Sequence, residues 1–167
     1  MRSRRAHRLA FYALMLALAM IFSYLETLIP VPFFVPGMKL GLANVVTMVV
    51  LYKIGAREAA VISLARICLS ALLFSGAFGL IYSLAGGALS LAVMILLKRS
   101  GRFGMTGVSV AGGVCHNFAQ IGVAALLLET GALLSYLPVL VVSGAVTGWL
   151  IGMLGGLLLS KLARLHL

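Results

Sequence analysis

An all-α membrane protein is the fold class this sequence predicts, and three observations predict it. Of 167 residues, 63% are hydrophobic and only 10% are charged, against about 25% charged in an ordinary soluble domain. The apolar residues gather in runs close to the roughly 20 that a helix needs to cross a bilayer. The basic residues fall between those runs, as the positive-inside rule requires. Such runs take up nearly the whole chain, so one transmembrane domain, 1–167, is expected and no soluble one.

Each element follows in order. A first helix is expected over 9–28. The cluster Arg2, Arg4, Arg5 and Arg8 before it imitates a signal peptide, but no small-residue cleavage site follows. The run is long enough to span and is expected to remain as a helix. It stops before Pro30, Pro32 and Pro36, because proline is costly inside a lipid-facing helix. Residues 30–39 therefore read as a loop. A second helix, 40–52, reaches only about 20 Å. Either neighbours shield it, or the proline-rich loop dips into the membrane beside it. Further helices are expected over 58–74, 80–97, 105–128 and 135–162, the last tolerating Pro138 in its first turn.

Six crossings put both termini on one side. Of the 13 Lys and Arg residues, all but Lys39 and Arg66 then share one face, which is expected to be cytoplasmic. The formal charge of +10 is thus read as membrane orientation. A nucleic-acid partner is excluded, since no continuous polar face is left to bind one. A multi-pass protein of the cell membrane, bacterial plasma membrane by expectation, is the implied location, and the lipid bilayer its first partner.

Gly144, Gly148, Gly152 and Gly156 recur every four residues and would let helices approach closely. The ridge serves either packing within the bundle or a partner. Ser83-Leu84-Ala85-Gly86-Gly87 is echoed by Ser109-Val110-Ala111-Gly112-Gly113, so the fourth and fifth helices both need a flat face there. Cys68 and Cys115 lie in apolar runs with no metal or disulfide spacing and read as small core hydrophobes.

Polar residues inside the spans carry the functional signal, because a charge in hydrocarbon is expensive unless it meets a cavity, a partner or a ligand. Arg66 sits near mid-depth of the third helix. Glu58 lies about 12 Å away along that helix, while Glu26 and Glu129 fall near helix ends, in the outer loops. No carboxylate is in obvious reach. Arg66 then satisfies itself with backbone carbonyls and water, or meets an anion from outside the protein. His116, Asn117 and Gln120 cluster on the fifth helix, His116 and Gln120 on one face above a glycine gap. They read as a pocket wall or as interhelical hydrogen bonds. Lys39 lies at the start of the second helix, with Asn44 about 7 Å deeper. Lys39 either snorkels or joins the helix N-terminus, Asn44, Arg66 and His116 in binding an anionic or polar head group.

Some chemistry is excluded. The chain has no Asp, which removes the aspartate pairs that hold magnesium in prenyl or phosphoryl transfer. No phosphate-binding GxxxxGK[ST] loop exists, and no Ser/His/Asp set is possible. We expect no catalytic residues, no metal, no cofactor and no enzymatic activity. Energy for transport would have to come from a partner or a gradient.

The stretches PGMKLGLANVVTMVVLYKIGAREAA (36–60) with Arg66 after it, SLAGGALSLAVM (83–94) and GVSVAGGVCHNFAQ (107–120) resemble the Gx transporter family. Its members are often labelled heptaprenyl diphosphate synthase component I. That family is similar in size and topology to the S components of energy-coupling factor transporters. The resemblance implies a six-helix, S-component-like bundle that binds a small-molecule substrate from outside. It also implies a transmembrane coupling subunit and two ATPase subunits as partners, with Ala13 and Ala17 of an Ala-xxx-Ala pattern facing the coupling subunit. The label implies instead a non-catalytic membrane accessory of isoprenoid or quinone metabolism. A ligand-free scaffold, its polar residues cross-linking helices, is the third alternative.

Overall fold

The computed structural model describes residues 2–28 and 41–163. Among these there is no strand. The helices are α1 (Arg2–Leu28), α2 (Asn44–Lys53), α3 (Ala56–Ser70), α4 (Gly76–Ser100), α5 (Met105–Leu127) and α6 (Leu137–Ala163). A π-helical turn, Ala71–Ser75, follows α3, and a 3-10 turn, Gly131–Tyr136, precedes α6. The expected loop at 30–39, with Lys39, lies outside the described residues; the second helix begins at Asn44 rather than at residue 40, because Gly41, at φ +86°, and the two residues after it form a turn.

Boundaries differ from expectation in ways that have physical causes. α1 begins at Arg2 rather than at residue 9, because arginine is a good helix former and the helix continues past the apolar run. α4 starts at Gly76 rather than at residue 80. Gly76 has φ +65°, a left-handed conformation that costs glycine nothing. The residues before α6 wind as a 3-10 turn, and α6 itself starts at Leu137 with Pro138 in its first turn.

Four stretches are long and apolar enough to cross a membrane: Ala6–Leu28, Ala56–Ser100, Met105–Leu127 and Gly131–Lys161. The second is not one rod. A Cβ built on Gly87 of α4 would lie 2.9 Å from Ile67 Cδ1 of α3. In a straight helix those residues would stand about 30 Å apart, so α3 and α4 fold back as a hairpin. The chain is a multi-pass membrane protein with four to five helices able to span.

α2 is the exception. Its 10 residues reach about 15 Å, and Asn44 through Leu51 are all buried. A helix apolar all round is stable only inside a bundle, so shielding by neighbours is what permits this short element.

The elements alternate in direction. Arg8 of α1 lies 3.9 Å from Glu58 of α3, pairing two helix starts. Lys98 near the end of α4 donates to Leu51 O near the end of α2 at 2.6 Å, and stacks over the Tyr52 ring at 4.8 Å. Basic residues therefore gather at one end. Above them lies the main apolar core, with Met15, Val46, Met48, Leu51, Ile62 and Met94. A small second cluster, Tyr82 and Ala124 with Val123 and Leu133, closes the far side. Between the two apolar clusters runs a polar layer.

Glycine decides how α5 meets its neighbours. Gly148 and Gly152 of α6 pack on backbone atoms of Ser109, Val110 and Thr106, and Gly144 on Gly113. Three members of the glycine ridge thus serve internal packing, whereas Gly156 meets nothing within 4 Å. The echoed Gly-Gly pairs each face two ways. Gly86 meets α5 and Gly87 meets α3, while Gly112 meets α4 and Gly113 meets α6. Successive helical residues point about 100° apart, so a pair of glycines flattens a helix toward two neighbours at once. Cys115 is half-buried, but Cys68 is exposed on the outer face of α3, against the expectation that both are core residues. In a bilayer that face meets lipid, which a small apolar side chain tolerates.

Candidate functional site

The polar layer is assembled from five helices. On α5, His116 and Gln120 share a face and are 3% and 1% exposed. Gly86 of α4 lies against them: a Cβ there would sit 2.8 Å from His116 Cε1 and 3.1 Å from Gln120 Cγ. Gly41, just before α2, holds the opposite side. Its added Cβ would lie 3.6 Å from His116 Nε2 and 2.9 Å from Asn44 Nδ2. Gly41 has φ +86°, where any side chain would be strained as well as crowded. Asn44, the first residue of α2, is thereby placed beside His116.

Arg66 enters from α3. It is buried, and its Nη1 donates to Ser23 Oγ of α1 at 3.4 Å. Three residues along the same face of α1 is Glu26, 4% exposed. Its Oε1 accepts the backbone N–H groups of Gly41 and, at 3.3 Å, Leu42. The carboxylate ties the end of α1 to the approach to α2, and it lies within electrostatic reach of Arg66.

Two expectations are corrected by this arrangement. Glu26 is not a residue of an outer loop. Arg66 donates to a side-chain hydroxyl, Ser23 Oγ, a partner that neither alternative raised for it had included, and it forms no ion pair with Glu26. The amides preceding α2, read from sequence as an anion site, are also engaged by Glu26. Sequence reading missed Glu26 and Ser23, although a signal was there. Ala19, Ser23 and Glu26 continue one helical stripe with Met15 on α1, and a polar end to an apolar stripe marks an inward-facing residue.

Asn117 goes elsewhere. Its Nδ2 donates to Leu140 O of α6 at 2.9 Å, which makes it a cross-link between α5 and α6. Lys39 lies outside the described residues. Ala13 and Ala17 sit on the exposed face of α1, opposite buried Met15 and Ala19. Among the described residues no three of His, Cys, Asp and Glu converge to hold a metal ion.

Two atoms in the layer have no hydrogen-bond partner among the described residues, Arg66 Nε and Gln120 Nε2. Buried polar groups without partners are costly in any protein interior. In a bundle surrounded by lipid, donors of this kind mark a place where a polar molecule can be held.

Fold and site together define a polytopic helical membrane protein with a polar layer enclosed between two apolar clusters. Residues 15–158 match the family described as heptaprenyl diphosphate synthase component I, and the chain belongs to that family, the one its sequence motifs resemble. Comparison with curated proteins and with solved structures gave no match.

Proposed function

We propose that this protein is a non-enzymatic, S-component-like substrate-binding subunit of an energy-coupling factor type transporter. It sits in a bacterial plasma membrane with six crossings, the second made by α2 together with the segment before it, and with both termini cytoplasmic. It takes a small anionic or polar micronutrient or precursor from outside. A transmembrane coupling subunit, docking along Ala13 and Ala17, and two ATPase subunits then drive release inside.

The observation that carries this reading is the buried polar layer, built from Ser23, Glu26, Asn44, Arg66, His116 and Gln120 and placed away from the basic end. Basic residues are retained on the cytoplasmic side, so the layer falls in the outer half, where an external molecule would be captured. The lack of a phosphate-binding loop is consistent with hydrolysis on other chains. The case for an anion rests on an unopposed Arg66. Arg66 forms no ion pair among the described residues and donates only to Ser23 Oγ, which suits an anionic or polar ligand.

Co-expression with a coupling module is the test. ATP-dependent uptake of one compound should require Arg66 and His116, and failure to form a complex with any such module would count against the proposal. A second reading rests on the family's description, which names a synthase component. A non-catalytic accessory of heptaprenyl diphosphate metabolism would co-purify with a soluble synthase and alter its product formation.

A further inference from the structure

The basic end of the bundle carries more positive charge than the protein's own carboxylates can balance. The whole chain has three acidic residues. Glu26 accepts from Gly41 and Leu42 before α2, and Glu129 follows α5, both at the far end. Glu58 alone stands at the basic end, and Arg8 lies 3.9 Å from it.

The cations at this end fall into two sets. Arg8 lies over the Tyr12 ring at 5.9 Å, Lys53 over Phe11 at 5.6 Å and Lys98 over Tyr52 at 4.8 Å. Lys98 also donates to Leu51 O. These three are built into the helix packing. The second set points outward: Arg57 at the start of α3, Arg99 at the end of α4, Arg102 before α5, and Lys161 in the last turn of α6. All four are exposed, and none forms an ion pair among the described residues. Phe103, 51% exposed, follows Arg102. With Phe11, Tyr12 and Tyr52 it makes an aromatic belt, and such belts sit where the headgroups of a bilayer begin. The four outward cations therefore stand at the level of lipid phosphates.

A guanidinium offers a planar fork of N–H groups that matches two phosphate oxygens. Each basic group near a membrane surface adds to the attraction for anionic lipid. A zwitterionic lipid brings a phosphate as well, but its own cation cancels the charge. We propose that Arg57, Arg99, Arg102 and Lys161 form a binding surface for the phosphate headgroups of phospholipids that carry net negative charge. This inference needs only the membrane-spanning bundle and is independent of the transport reading.

The test reconstitutes the full chain in bilayers of equimolar phosphatidylglycerol and phosphatidylcholine and identifies the lipids it retains by native mass spectrometry. Wild type should retain phosphatidylglycerol over phosphatidylcholine at least about fivefold. Reconstitution in about 1 M salt, where screening acts within about 3 Å, should remove most of that preference. Arg57→Gln/Arg99→Gln/Arg102→Gln should bring the two lipids toward equality, whereas lysine at the same three positions should keep the preference. Equal retention by wild type overturns the proposal and leaves these cations to an acidic protein surface. A preference that survives the triple glutamine variant overturns it too, since the anionic lipid is then held elsewhere. So does a preference indifferent to salt. If the triple variant fails to fold, Arg99→Gln and Arg102→Gln singly should each lower the preference, and no effect from either overturns the proposal.

Discussion

Gly148 of α6 sits against the backbone of α5, and replacing it by alanine isolates the energetic value of that approach. A Cβ at this position would lie 2.7 Å from both Ser109 O and Val110 Cα. Ordinary contacts between such atoms begin near 3.5 Å, so α5 and α6 must part by about 0.8 Å. A gap of that size forfeits a quarter to a half of each pairwise attraction along the seam, and overpacking of this kind costs about 1–3 kcal/mol. Against it, alanine favours a helix over glycine by about 0.8–1.0 kcal/mol. Gly156 supplies the reference on the same helix, because a Cβ there meets nothing within 4 Å. The propensity gain is common to Gly148→Ala and Gly156→Ala and cancels in their difference. What is left is the steric term, about 1–3 kcal/mol. Thermal or denaturant unfolding in detergent would measure it, with Gly156→Ala equal to or more stable than wild type. Equal stability of the two variants would refute a backbone-to-backbone seam between α5 and α6.

Three other outcomes are expected. Asn117→Leu should cost about 0.6 kcal/mol, a usual value for one interhelical hydrogen bond in a membrane. Retained-ligand mass spectrometry should show it binding what the wild type binds, and loss of that molecule would return Asn117 to the site. Arg66→Met removes the donor to Ser23 Oγ and the weaker attraction to Glu26, and should cost about 1.5–3 kcal/mol, the usual value of a hydrogen bond to a charged group. Unfolding measurements should show the Glu26→Gln/Arg66→Met double variant more stable than Arg66→Met alone, and the reverse order would mean the two charges do not interact. Finally, in a chain stripped of its own cysteines, a cysteine at Arg102 should be labelled only from the cytoplasmic side and one at Glu129 only from outside. Labelling of both from one side would contradict alternating crossings.

Much of the bundle was legible because membrane helices announce themselves one at a time. The expected α5, 105–128, differs from Met105–Leu127 by a single residue. The proline-free apolar run and flanking glycines leave little freedom there. Where local signals conflict, the boundary moved: α1 extends into its arginines, and the α3–α4 junction became a π turn and a glycine with positive φ. Arg66, His116 and Gln120 stood out by hydrocarbon cost alone, and all three are buried. Glu26 did not, since a carboxylate near a helix end is ordinary on sequence grounds.

From sequence alone came the membrane environment, the order of helices and the gathering of basic charge at one end. These depend on solvent preference and on periods of a few residues. Tertiary packing alone decided that Arg66 donates to Ser23 of α1, that Asn117 bonds to α6, and which neighbour each glycine admits. Those pairings join residues dozens of positions apart, and their geometry exists only once the helices are in place against one another.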